Sequence, residues 1–475
     1  MVSATTDVPV AGDRRRVFGW LMFDWASQPF YTLCLTFVFG PYFTAVVAGA
    51  LLSDGLPEAA ADARAQILWS RAQTWIGVAI ALTAPFLGAL ADTSGRKMPW
   101  VWAFSLLYVA GTAGLWVMAP DASGVVLALV AFGIAMAGAE FTTIFTNAML
   151  PSLATGGRVG RLSGAGYALG YAGGVLALLI MLAFFVEQPG GTTLLGRPPA
   201  LGLDPGAREG TRFVGPFAAI WFALFMVPFF LYVRDDRADT RRASVPRAWA
   251  DLKAMVRSIP GRPSLAAWLA GSMLYRDALV ALYAFGGVYA TLVLDWEVTQ
   301  VGVFGILGAV AAAIASWAGG RLDGALGPKP VIVGAVLVLT GVVIVLVGMT
   351  PEALFGVPLA TGLPTTGAAR LLFGEGMGTA DVVFYVLGAA IGGAGGVLQA
   401  ASRTMMVRHS DPARATEAFG LYALSGKATA FLAPLLIGIA TSATGSARLG
   451  IFPVALLFLA GLVLLRWVRP EGDRT

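Results

Sequence analysis

Twelve long apolar runs, each parted from the next by a polar stretch, constrain this chain more than any other feature. A helix needs about 20 apolar residues to cross the roughly 30 Å of bilayer hydrocarbon. Lipid offers no water to the peptide groups, so each run has to satisfy its N–H and C=O groups internally, as an α-helix does. The runs lie near residues 20–50, 69–91, 99–119, 124–150, 163–187 and 213–233, then near 264–294, 300–322, 330–350, 379–402, 417–441 and 449–469. Composition excludes a water-soluble globule: 57% of the 475 residues are hydrophobic and only 12% are charged, with a mean hydropathy of +0.76. A soluble domain carries about twice that share of charge. The fold class is an all-α membrane protein with twelve transmembrane helices.

The sixth and seventh runs are separated by a longer polar stretch that holds the pair Arg241–Arg242 and the amphipathic piece AWADLKAMVRSI. The chain therefore divides into an N-terminal six-helix half, 1–233, a cytoplasmic linker with a surface-lying amphipathic segment, 234–263, and a C-terminal six-helix half, 264–475. The halves echo one another. FVFGPYFTAVV at 37–47 parallels YAFGGVYATLV at 283–293, and Tyr167-Ala168-Leu169 parallels Tyr422-Ala423-Leu424, in the same relative order.

The net charge of +5 and a pI near 9.4 could suggest a nucleic-acid partner, but the basic residues sit in the breaks between runs. Assigning alternate breaks to opposite sides places 23 Lys and Arg on the side of the termini and 7 on the other. The positive-inside rule then puts both termini in the cytoplasm. Arg14 to Arg16 ahead of an apolar run resemble a signal peptide, yet that run exceeds an h-region and contains Asp24, which predicts an uncleaved first helix. Arg outnumbers Lys 28 to 4, the bias of a GC-rich bacterial source and hence an inner membrane.

Cys34 and His409 are the sole residues of their kinds, so no intrachain disulfide and no multi-histidine metal or haem site can form. No catalytic residue, metal or cofactor is predicted. Gly426-Lys427 superficially suggests a phosphate-binding loop, but Leu421 stands where its first glycine is required and Ala428 where it needs Ser or Thr.

After the second run comes GALADTSGRK, in which Gly88, Leu90, Asp92, Gly95, Arg96 and Lys97 form the pattern that major facilitator proteins carry between helices 2 and 3. Its physical sense is legible: Gly88 permits close helix approach, Asp92 offers a carboxylate to a neighbouring helix N-terminus or an arginine, and Gly95 makes the turn. Arg96 and Lys97 then hold the cytoplasmic side. A degenerate copy follows the eighth run, with Gly319 and Asp323 at the same spacing. Thr93 departs from the arginine often found in the motif. Four further stretches, FGWLMFDWASQPFYT, FTNAMLPSLA, GRLSGAGYALGYAGG and LYALSGKATAFLAPLL, together with LYRDALVALYAFGGVYA, resemble the branch of that superfamily related to the fungal vacuolar amino-acid effluxers. The resemblance runs through nearly the whole chain. It implies the major facilitator fold of two six-helix bundles and solute movement, with amino-acid efflux attached to the fungal branch. Arg276 stands where a smaller polar residue is expected.

Ionisable groups inside apolar runs cost several kcal/mol each, about 2.5 to 3.5 for Arg, Lys or Asp, unless they find partners or a wet cavity. Asp24, Glu140, Arg276, Asp277 and Lys427 are such groups, and Asn147 and Gln399 add polar atoms near the ends of the fourth and tenth runs. Adjacent helical positions diverge by about 100°, so Arg276 and Asp277 should seek different partners. The expected pairs are Glu140 with Arg276 and Asp277 with Lys427. Three carboxylates against two cations leave one unmatched, which points to proton uptake. A site of both signs suits a zwitterion. Gly166, Gly170 and Gly174 mark a packing groove on the fifth helix. The reading is a monomeric secondary active transporter for a small polar solute, amino-acid-like or a metabolite, working by alternating access and driven by protons. A drug or metabolite exporter and a membrane-embedded lipid-modifying enzyme are the alternatives.

Overall fold

The computed structural model describes residues 11–188, 190–235, 243–294, 296, 298–360, 362 and 377–473. The basic pair Arg241–Arg242 lies outside the described residues. Among those described, twelve helices are long and apolar enough to cross a membrane. Spans 1 to 6 are Arg14–Ser53, Glu58–Ser94, Met98–Val117, Val125–Leu153, Gly157–Phe184 and Glu209–Tyr232. Spans 7 to 12 are Pro263–Thr291, Gln300–Leu326, Pro328–Gly348, Thr379–His409, Pro412–Thr444 and Arg448–Trp467. They form the two six-helix bundles expected from the sequence.

Three spans owe their shape to identifiable residues. Span 1 is α-helical to Pro29, widens into a π-helix over Phe30–Phe37 and resumes as an α-helix over Phe39–Ser53. Pro29 has no N–H to give the carbonyl of Trp25, one turn back. The Trp221 indole of span 6 donates to that carbonyl at 3.2 Å and stacks on the Trp25 ring. Span 2 stops at Gly95, whose φ of 66° is the left-handed C-cap conformation. Span 11 is interrupted between Ala428 and Leu432. Pro434 lies just beyond and cannot donate to Ala430, which opens the helix there.

Each bundle has an aromatic core. In the first, Trp69 packs on Phe132 with centroids 4.5 Å apart, and Tyr108 stacks on Phe222 at 3.9 Å. In the second, Phe304 stacks on Phe384 at 4.7 Å, and Trp296 packs on Tyr385 at 4.4 Å while donating to Asp381.

The start of span 1 and the described residues after span 12 lie on one face, called here the terminal face. Arg16 reaches the carbonyl of Arg234 at 3.4 Å, and the Asp473 carboxylate accepts from the N–H groups of Ser264 and Leu265, each at 2.9 Å, at the start of span 7. The amphipathic helix Val245–Ser258 lies on the same face, where Arg414 of span 11 donates to its Asp251 carbonyl at 2.8 Å.

The bundles meet along two seams, span 2 against span 11 and span 5 against span 8. Small residues make both contacts. A Cβ on Gly88 would lie 2.5 Å from the Thr416 carbonyl oxygen, and one on Gly420 would lie 2.6 Å from that of Ala84. In the other seam a Cβ on Gly164 would lie 2.5 Å from the Gly320 Cα. Any larger side chain at these positions would force the bundles apart.

Candidate functional site

Interior charges link the two bundles at two depths. Deeper in the membrane, Lys427 of span 11 donates to Glu140 of span 4 at 3.3 Å, with their side chains 23% and 20% exposed. That residual exposure separates this pair from a buried structural bridge. The expected pairing of Glu140 with Arg276 is corrected. Arg276 instead donates to the Tyr422 carbonyl at 3.0 Å and lies over the Tyr422 ring at 4.2 Å. A carbonyl and a π face are neutral partners, which counting charges does not find. The expected pairing of Asp277 with Lys427 is corrected too. Asp277 is buried and accepts from the Ala433 N–H at 3.0 Å. The break in span 11 frees that donor.

Nearer the terminal face, Arg403 of span 10 forms a hub, although the tenth apolar run, 379–402, stops one residue short of it. Only 3% of its side chain is exposed. Its Nη1 donates to both Asp24 oxygens, at 3.1 and 3.3 Å, and to the Asn147 side-chain oxygen at 3.1 Å. Its Nε donates to the Ser163 hydroxyl at 2.9 Å and its Nη2 to the Ser163 carbonyl at 2.7 Å. The Trp20 and Tyr167 rings cover the guanidinium at 4.9 and 4.5 Å. Every one of these partners belongs to the first bundle. Such charge-assisted bonds are the stronger kind, and together they compensate a charge that lipid would not hold.

One signal could have revealed Arg403. It lies four residues beyond Gln399 on the same helix, and so on the same face. Gln399 itself donates to the Tyr171 hydroxyl at 3.0 Å, again between bundles. Arg403 brings the interior cations to three against Asp24, Glu140 and Asp277, while Asp277 accepts a backbone N–H and Asp323 of span 8 is buried as well. The small-residue groove of span 5 packs on span 1: a Cβ on Gly166 would collide with the Asp24 carboxylate, and one on Gly170 would lie 3.2 Å from the Asp24 carbonyl.

The turn after span 2 has the geometry its residues imply. Asp92 accepts from the Glu417 N–H at 2.8 Å, at the N-terminus of the helix Ala415–Ala428. Lys97 donates to the Ala148 carbonyl at 2.8 Å, and Arg96 is exposed. Thr93, in place of arginine, accepts from the Ser244 N–H at 3.1 Å and so ties down the segment before the surface helix. The second copy differs. Gly319 packs against Val397 of span 10, and Asp323, 2% exposed, lies against Gly160 of span 5 with neither carboxylate oxygen hydrogen-bonded.

Twelve spans in two bundles, joined through interior ion pairs and a glycine-lined seam, define a secondary transporter of the major facilitator fold. Residues 74–474 match the family described as "Vacuole effluxer Atg22 like", and the chain belongs to that family. The uncharacterized MFS-type transporter YxiO of Bacillus subtilis is 23% identical over 466 residues, covering 96% of this chain and 95% of that protein. Autophagy-related protein 22 of Cryptococcus neoformans is 26% identical over 323 residues, which cover 66% of this chain and 51% of that longer protein. Among solved structures, the proton:xylose symporter XylE superposes with a TM-score of 0.68 at 12% identity, covering 98% of this chain and 96% of the other, a likeness of fold alone. The protein is an integral multi-pass membrane transporter, and the lipid-modifying enzyme alternative falls.

Proposed function

We propose that the protein is a monomeric alternating-access carrier for a small zwitterionic, amino-acid-like solute, driven by a proton gradient. The observation that carries this reading is the partly exposed Glu140–Lys427 pair. Its two members come from opposite bundles, so a solute ammonium on Glu140 and a solute carboxylate on Lys427 would replace the pair and bridge the bundles. Such replacement exchanges one set of charge-assisted bonds for another at little desolvation cost. The resemblance of the sequence motifs to the fungal vacuolar amino-acid effluxers agrees with a zwitterion, and XylE offers a proton-driven example on the same fold.

In this reading 1–233 and 264–475 rock against each other, with 234–263 as their linker. The charge asymmetry of the breaks supports cytoplasmic termini in a bacterial inner membrane. The Asp24–Arg403 hub, with Asn147, and the Asp92 and Asp323 turns then close the cytoplasmic side. Uptake by proteoliposomes of zwitterionic, cationic and anionic amino acids, with and without a pH gradient, tests it. Zwitterions should accumulate, and more so with the gradient. Accumulation of amphiphilic drugs in preference to zwitterions would favour the exporter reading instead.

A further inference from the structure

We propose that the seam between spans 5 and 8 carries a binding site for an anionic phospholipid, which clasps the two bundles from the membrane side. The seam's outer surface opens into a groove of about 610 Å³, walled by Ala165, Ala168 and Leu169 of span 5 and by Ala313, Ile314 and Trp317 of span 8. All six side chains are apolar, and Ile314 and Trp317 are 65% and 51% exposed. Alanines at three of these positions leave a slot with the cross-section of an acyl chain.

The groove's end toward the terminal face is basic. Arg321 lies over the Trp317 ring at 3.3 Å, with the Trp317 carbonyl its hydrogen-bond partner at 3.4 Å. Arg161 of span 5 crosses toward span 8, its Cγ 2.9 Å from where a Gly324 Cβ would stand. Both side chains are exposed, and among the described residues neither has a carboxylate partner. Two unpaired guanidinium groups beside a lipid-facing slot complement a phosphate, which each can bind in bidentate fashion.

The dimensions suit a bilayer lipid. The eight helical steps from Arg161 to Leu169 rise about 12 Å, most of the roughly 15 Å of one leaflet's hydrocarbon. The arginines therefore lie at headgroup level when the apolar wall lies beside the acyl chain. Because the walls come from different bundles, bound lipid bridges them only while the seam is closed.

The test uses purified full-length protein in mixed micelles with phosphatidylglycerol or phosphatidylcholine of identical chains, with retained lipid read by native mass spectrometry. Wild type should retain phosphatidylglycerol preferentially. Arg161→Gln with Arg321→Gln should cut that preference about 30-fold, at about fivefold per arginine. Ala168→Trp should displace both lipids by filling the slot. A photoactivatable phosphatidylglycerol, applied to wild type, should crosslink to peptides containing 165–169 or 313–321, which keeps the test decisive if a variant misfolds. Equal retention of the two lipids, crosslinks confined to other spans, or a dimer that Ala168→Trp dissociates would overturn the proposal.

Discussion

Arg403 and Asp24 join span 10 to span 1 at 3.1 Å, and the two residues are 379 positions apart in the chain. Removing one member of a buried ion pair strands the other and costs about 3–5 kcal/mol. Asp24→Asn or Arg403→Leu should therefore lower thermal stability in detergent and raise the reactivity of cysteines introduced on the terminal face. Arg403→Lys should rescue only part of this, because an ammonium cannot serve Ser163, Asn147 and Asp24 together. An unchanged melting temperature in both single variants would remove the hub's assigned weight.

Glu140 and Lys427 should behave as a unit. Glu140→Gln and Lys427→Gln each remove a charged contact worth about 1.5–3 kcal/mol, so each should weaken solute binding by roughly tenfold to a hundredfold. The exchanged pair Glu140→Lys with Lys427→Glu should recover more uptake than either reversal alone. If the exchange is no better than the single reversals, the two residues do not act through each other.

Asp92 and Asp323 occupy equivalent turns with opposite expectations. Asp92→Ala removes the acceptor of the Glu417 N–H and should destabilise the protein by about 1 kcal/mol. Asp323→Asn removes a buried carboxylate whose oxygens accept no hydrogen bond and should be neutral or stabilising, by up to about 1–3 kcal/mol. Thermal unfolding of the two variants side by side checks the contrast in sign.

Gly88 and Gly166 should tolerate no side chain. Gly88→Leu would drive span 2 away from the Thr416 carbonyl, and Gly166→Ala would push on Asp24 and on the Arg403 guanidinium, 2.8 Å from the added Cβ. Both variants should leave the terminal face more open, as judged by spin-label distances between the ends of spans 2 and 11. Distances equal to wild type would mean that the glycines are not what permits closure.

The bundles were legible because lipid turns hydropathy into length, and the Asp92 turn because a carboxylate beside a helix N-terminus has a single physical sense. Arg403 was not, because span 10 continues past its hydropathic edge to His409 and an arginine there resembles a solvated end. The partners of Arg276 and Asp277 were hidden for another reason. Both are backbone groups in span 11, the Tyr422 carbonyl and the Ala433 N–H. The second is free because of the break near Pro434, a residue whose missing donor was present in the sequence to be read.

All the polar partners of Arg403 belong to the first bundle, while Arg403 itself belongs to the second. Rocking the bundles apart on this face would leave one guanidinium bare, and water has to reach it in the same motion. Wetting of the inner vestibule is thereby tied to the first ångströms of opening. An empty carrier should rest shut on this side, where one arginine keeps the partners that opening would have to replace with water.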